Sequence, residues 1–235
     1  MTESAGEGDH DRRWDRILKL WGALIGVGWV VGPFVAAGTL RWPAIWIYSG
    51  TIASGAIVQR VYVSRRNPGV LARRRRVGAG TKGWDVAWAF VAAPLTLLPP
   101  VVAGLGVRAG WPTMPLSFAA IGVVLNTTGG ILWARAMASN AHFEPTVRIQ
   151  REIGHAVVDA GPYRVVRHPG YAAFCVGTFG APFLLLSWPA MTVAPLLAVW
   201  FVVRTALEDR TLRQELPGYA EYARRVRFRL VPGVW

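Results

Sequence analysis

The residues best suited to chemistry crowd into one short stretch, Gly161-Pro162-Tyr163-Arg164-Val165-Val166-Arg167-His168-Pro169-Gly170-Tyr171. A proline disfavours helical backbone in the residue before it and suits the first turn of a helix. The pattern therefore predicts a helix opening at Pro169, with Arg167 and His168 in extended backbone just ahead of it. The free N–H groups and positive dipole end of that helix, beside the Arg167 guanidinium, make a candidate anion seat. Tyr171, in the first turn, is close enough to line the same pocket. A plain loop-to-helix junction whose arginines meet lipid headgroups fits the same residues. A second pattern is Arg204-Thr205-Ala206-Leu207-Glu208-Asp209-Arg210-Thr211-Leu212. Arg204, Glu208 and Leu212 are four apart and share one helix face. A cation and a carboxylate stacked in this way could bind the two charged ends of a polar ligand. An ordinary helix-end salt bridge, worth roughly a fraction of a kcal/mol, has the same spacing.

Other chemistries find no support. His142 and His155 are too widely spaced, and Cys175 too isolated, to read as a zinc site. No Gly-rich phosphate loop follows a strand pattern, and no serine sits in a nucleophile-elbow context. Cys175 reads as a small residue of an apolar helix.

The elements that must position these residues are membrane helices. The chain has 235 residues, 53% hydrophobic and only 17% charged, with mean hydropathy +0.32. A soluble domain carries roughly 25% charged residues, so this chain lacks the groups to coat a water-facing surface. That much apolar surface excludes disorder, and a single cysteine excludes a disulfide-stapled secreted module. Net charge +13 would ordinarily raise nucleic-acid binding. Here, however, the basic residues alternate with apolar runs of the roughly 20 residues that span a bilayer. Such runs are Leu20 to Leu40, Trp42 to Val58 (extending to Val63 past Arg60), Trp84 to Val107 with Asp85 at its leading edge, and about Leu116 to Met137. Two shorter runs, Tyr171 to Leu186 and Met191 to Thr205, flank a tight connection at 187–190 and read as a helical hairpin.

The reading is an all-α, polytopic integral membrane protein with about six spans. Residues 1–17, which mix five acids with Arg12, Arg13 and Arg16, are expected to be a mobile tail. Residues 18–137 form a four-helix membrane region. Its loop 64–83 carries Arg65, Arg66, Arg73 to Arg76 and Lys82 without an acid. By the enrichment of Lys and Arg on the cytoplasmic side, both termini and this loop face the cytoplasm, and the arginines meet anionic lipid headgroups. Residues 138–235 hold the polar remainder, including His142, His155 and His168, at the membrane–cytosol boundary.

The ordered set Val147-Arg148-Ile149-Gln150, Gly154-His155-Ala156-Val157-Val158, Gly161-Pro162-Tyr163 and Arg167-His168-Pro169-Gly170-Tyr171 resembles the isoprenylcysteine carboxyl methyltransferase family. That family is one of a wider group of integral-membrane methyltransferases that includes the phospholipid N-methyltransferases. Glu208-Asp209-Arg210-Thr211-Leu212 and Tyr219-Ala220-Glu221-Tyr222 look like its second signature. The resemblance covers about residues 138–235. It implies S-adenosylmethionine bound at the cytosolic face, without a Rossmann fold, in a pocket built from the connecting loop and the two C-terminal helices. By motif position Gln150, His155, Val158, Tyr163, His168, Tyr171 and Glu208 would line it. Arg167 and Pro169 of the anion seat, and Asp209 of the acidic pair, complete the cofactor-binding candidates. Arg204, Glu208 and His168 are the catalytic candidates, Arg204 standing where the family has a basic residue before the acidic pair. Asp209 is one methylene shorter than the usual Glu, and the front half carries no match to a prenyl-binding sequence.

Methyl transfer to a carboxylate needs no general base, because holding the acceptor oxygen in line supplies most of the catalysis. An amine acceptor would have to lose a proton, a task for His168 or Glu208. The implied acceptor is a lipophilic small molecule or a lipidated group entering from the bilayer, most simply as a carboxylate, with a phospholipid amine or a thiol as alternatives. A sterol-reductase-like membrane reductase using NADPH, and a non-catalytic scaffold, are the competing readings. The sequence does not give the oligomeric state.

Overall fold

A computed structural model describes residues 3–74 and 80–235. Arg75 and Arg76 of the basic loop lie outside the described residues. Helix α1 (Glu3–Ala37) contains the apolar window Leu20–Ala37, and its backbone helix reaches into the segment expected as a tail. Helix α2 (Pro43–Arg66) starts with proline at its first position and is followed by the single-turn helix α3 (Pro68–Arg73). The apolar run 84–107 forms two helices, α4 (Gly83–Leu95) and α5 (Leu98–Arg108). Pro94, Pro99 and Pro100 each lack the N–H that a continuous helix would use. Helix α6 (Phe118–Ser139) precedes an irregular connection, 140–168, with two short 3-10 turns. Helix α7 (Pro169–Leu184) opens at the proline picked out in the sequence. A turn containing α8 (Trp188–Met191) leads to α9 (Val193–Glu215), and α10 (Tyr219–Arg225) follows. The described residues contain no strand, only an isolated bridge between Thr113 and Ser187.

Four segments are long and apolar enough to cross a membrane on their own: Leu20–Ala37, Gly83–Arg108, Phe118–Ser139 and Trp188–Glu215. The sequence reading counted six. The other two are α2, diluted by Thr51, Ser54, Gln59 and Arg60, and α7, which at 16 residues is shorter than the roughly 20 a bilayer core requires. Both pack inside the same bundle, α2 and α7 each against α6.

Apolar residues such as Leu24, Val27 and Val30 on α1 and Leu196 and Val199 on α9 point outward, as lipid-facing positions do. Lipid offers no hydrophobic drive for helices to associate, so close packing of small residues must hold them. The α6–α7 contact illustrates this. A Cβ on Gly129 would lie 2.7 Å from the Ala173 carbonyl oxygen, and one on Gly122 would lie 2.7 Å from the Leu184 nitrogen. At the polar end Asn67 Nδ2 donates to the carbonyls of Met137 (3.0 Å) and Asn140 (3.1 Å), and Arg73 donates to that of Ala141 (2.6 Å). Lys82 pairs with Glu215 at 2.7 Å. The basic loop, the 140–168 connection and the end of α9 are thereby joined into one layer.

Gly129→Val should push α6 off α7 and cost about 1–3 kcal/mol, the usual penalty of overpacking. Gly50, whose added Cβ would meet nothing within 4 Å, should accept the same change silently. Thermal midpoints of the two variants in detergent check the contrast.

Candidate active site

A cavity of about 310 Å³ lies in this layer, walled by the 140–168 connection, α7, the inner half of α9 and α10. That size is at the lower end of the roughly 300–1,000 Å³ typical of small-molecule sites. Of the sequence-predicted residues, Gln150, His155, Val158 and Tyr163 line it from the connection. Arg167, His168 and Tyr171 line it from the start of α7, and Arg204 and Glu208 from α9. Leu212, the third residue of the α9 face, lines it too. Pro169 and Asp209 stay outside the wall.

The connection is shaped by its own main chain. Gly154 closes a 3-10 turn with φ +63°, a left-handed conformation open to glycine, and lets the His155 N–H reach back to the Gln150 carbonyl at 3.2 Å. His142 and His155 stack with ring centroids 4.3 Å apart. Each ring accepts a main-chain hydrogen bond, His155 Nδ1 from the Gln150 N–H (3.2 Å) and His142 Nε2 from the Ala156 N–H (3.4 Å). Both imidazoles are therefore neutral acceptors. Burial pushes His142 down, and burial with the nearby His142 and Arg148 pushes His155 down to about 4. The Gln150 side-chain N–H donates to the His142 carbonyl at 2.7 Å, while its buried Oε1 has no hydrogen-bond partner.

The charged groups on the wall are held by partners that differ in kind. Arg204 is buried and forks onto Asp85 (2.9 and 3.2 Å), also donating to the Pro145 carbonyl at 2.7 Å. Its guanidinium stacks over Trp88 and Tyr171, 4.3 and 5.2 Å from the ring centroids. Asp85 in turn accepts the Val147 N–H at 2.7 Å. Arg148 is clamped by Glu144 and Glu152. Glu208 receives the Tyr171 hydroxyl and lies 3.9 Å from His168 Nδ1, with its carboxylate open to the cavity.

Asp209 behaves differently from its neighbour. It is 1% exposed and collects Arg167 (2.7 Å), Arg213 (3.0 Å), Arg229 (3.0 Å), the Tyr219 hydroxyl (3.0 Å) and His168 Nε2 (3.4 Å). The residues just before α7 are extended against the C-terminal segment. Arg167 N–H donates to the Phe228 carbonyl and His168 N–H to that of Arg229, both at 2.9 Å. The Arg167 guanidinium therefore faces Asp209 and the Val226 and Arg227 carbonyls, and its charge is already satisfied.

Sequence reasoning missed Asp85, Trp88, Asn140 and Arg74. Asn140 donates to the Tyr163 hydroxyl at 3.1 Å. The available signal was that Asp85 is an acid at the rim of an apolar span, a place where charges are rare and paired.

Residues 121–214 match the model of the isoprenylcysteine carboxyl methyltransferase (ICMT) family. Over 110 residues the chain is 34% identical to a probable protein-S-isoprenylcysteine O-methyltransferase of Oryza sativa subsp. japonica, a match covering 45% of this chain and 57% of that protein. It is 29% identical over 145 residues to protein-S-isoprenylcysteine O-methyltransferase B of Arabidopsis thaliana, covering 60% and 70%. The chain thus spans just over half the length of the rice protein it matches. The fold is similar to that of the eukaryotic intramembrane Ras methyltransferase ICMT, with TM-score 0.54 and 16% identity over 91% of this chain and 75% of that one. The family resemblance carried by the motifs and the all-α membrane fold are borne out.

The two acids of the pair should separate by stability. Asp209→Asn strips the buried Arg167 of its counter-charge and should cost about 3–5 kcal/mol, whereas Glu208→Gln loses one hydrogen bond and should cost about 1 kcal/mol; thermal midpoints rank them. His155 sets a pH signature. Its folded pKa lies below the unfolded value of about 6.5, so its contribution to stability is present above that value. It is lost as pH falls from about 6.5 through about 4. Imidazole NMR should find His155 still neutral at pH 5.5, with the thermal midpoint declining only over that acidic window.

Proposed function

Because residues 121–214 match the isoprenylcysteine carboxyl methyltransferase family, we propose that this chain transfers a methyl group from S-adenosylmethionine to the carboxylate of a lipophilic or lipidated acceptor at the cytoplasmic face of a membrane. The observation that carries the reading is the cavity, in which an open carboxylate, an unpartnered amide oxygen and aromatic faces converge at the polar end of an apolar bundle. The enrichment of basic residues at that end supports a cytoplasmic side for it and for both termini.

The cavity's donors and acceptors fit the methyl donor. Glu208, whose carboxylate is engaged within the chain by the Tyr171 hydroxyl, suits the donor's ammonium group. The buried Gln150 Oε1 lacks a partner and suits an N–H such as an adenine amino group. Tyr171, Phe174 and Phe201 offer ring faces to a sulfonium. When bound, the donor supplies an electrophilic methyl, the new bond forming from an acceptor lone pair as the carbon–sulfur bond breaks and a neutral thioether leaves. A carboxylate acceptor carries no proton to remove, so the chain's own work is to orient and to exclude water. Arg204, fixed by Asp85 and stacked between Trp88 and Tyr171, holds the α9 face rigid beneath Glu208. His168, held between Glu208 and Asp209, orients both acids. A second cavity, about 350 Å³, lies among α2, α6 and α7 and shares Trp133 and Phe174 with the first. It would house the acceptor's hydrocarbon. The names of the rice and Arabidopsis relatives point to an isoprenylcysteine.

Equilibrium binding of S-adenosylhomocysteine to detergent-purified protein, with NADPH as comparison ligand, tests this. Saturable S-adenosylhomocysteine binding, weakened tenfold or more by Glu208→Gln, is expected. Binding of NADPH alone would make the protein a reductase, and binding of neither ligand would make it a scaffold.

A further inference from the structure

Three of the arginines on the cavity wall are already engaged by carboxylates. Arg148 is held by Glu144 and Glu152, Arg167 by Asp209 and Arg204 by Asp85. Arg74 is not. It follows α3, lines the same cavity, and faces no carboxylate within ion-pair distance among the described residues. Its guanidinium lies over Phe143 and Trp133, 5.2 and 5.9 Å from the ring centroids, and makes one long 3.5 Å contact to the Phe143 carbonyl. Removal from water makes its charge costly to keep, and burial pulls its pKa down. Arginine nonetheless stays charged in proteins. Ring faces offset part of that penalty, and an anion would offset more.

The position selects the anion. Trp133, under the Arg74 guanidinium, is also one of the two residues common to the cofactor cavity and the intramembrane cavity. A charged group bound at Arg74 therefore sits where a hydrocarbon chain would pass from bilayer to active site. We infer that Arg74 is the anchor for the acceptor's carboxylate, so that the site selects anionic lipophiles over neutral or cationic ones of the same hydrocarbon. This rests on the methyltransferase reading for the identity of the acceptor, but the selectivity is a property of binding alone. Arg74 acts by holding the acceptor in place and takes no proton.

The test compares binding of an N-blocked S-farnesylcysteine, as free acid and as carboxamide, to wild-type protein, Arg74→Gln and Arg74→Lys. Quenching of tryptophan fluorescence reports the lipid, and S-adenosylhomocysteine affinity is measured on the same samples. Wild type should prefer the acid at least tenfold. Arg74→Gln should erase that preference while keeping S-adenosylhomocysteine affinity within about twofold, and Arg74→Lys should restore part of it. A preference that survives in Arg74→Gln overturns the assignment, as does equal binding of acid and amide by wild type. Loss of S-adenosylhomocysteine affinity in Arg74→Gln with the acid preference intact also overturns it and moves Arg74 to the cofactor. Wild-type protein that binds the acid selectively but no S-adenosylhomocysteine would sink the methyltransferase reading and leave Arg74 as a carboxylate anchor.

Discussion

The buried Asp209 carboxylate is the point on which the polar half of the molecule hangs. Its five donors come from the start of α7, from α9 itself, from α10 and from the C-terminal segment. The start of α7 and the C-terminal segment are separated from Asp209 by 42 and 20 residues of sequence. Charge-assisted hydrogen bonds to one acceptor are stronger and more directional than apolar contact, and they fix the angles at which His168 and Tyr219 enter the cavity wall. The neighbouring Glu208, one residue along the same helix, instead accepts the Tyr171 hydroxyl and lines the cavity. Adjacent positions on one helix thus give one acid wholly engaged within the chain and one that lines the cavity.

A similar division of labour runs through the arginines. Asp85, Asp209 and the Glu144–Glu152 pair each neutralise a guanidinium that would otherwise compete for ligand. The cavity's field is consequently set by the few groups left uncompensated rather than by the large formal charge of the chain. Net charge +13 describes how the protein sits at a membrane surface, and says little about what its cavity recognises.

What could be read from the sequence follows from range. The helix start at Pro169, the shared face of Arg204, Glu208 and Leu212, and the apolar runs are local patterns, and the structure has them where periodicity and proline chemistry put them. Nine of the candidate residues meet in one cavity because the motifs that flagged them carry that arrangement. The Arg204–Asp85 pair joins residues 119 apart, and no helical or strand period reaches that far. Arg74 was hidden for the opposite reason. It stands in a run of four arginines whose composition already had a sufficient explanation in membrane topology, and only tertiary structure shows that its side chain lines the cavity. The break between α4 and α5 was legible in Pro94, Pro99 and Pro100 but was outweighed by the continuity of the apolar run.

The pairing of residues 167–168 with 228–229 bears on the order in which the protein is made. The apolar helices can enter the bilayer one by one as they are synthesised, each satisfying its own main chain. The strand-like partner of the His168 segment is made well after it, and Arg167 meets the Val226 carbonyl across 59 residues of sequence. Closing so long a loop is slow relative to local helix formation. The helices of the bundle can therefore form before the His168 segment meets its partner, and the start of α7 is fixed against residues 226–229 only once that long loop has closed.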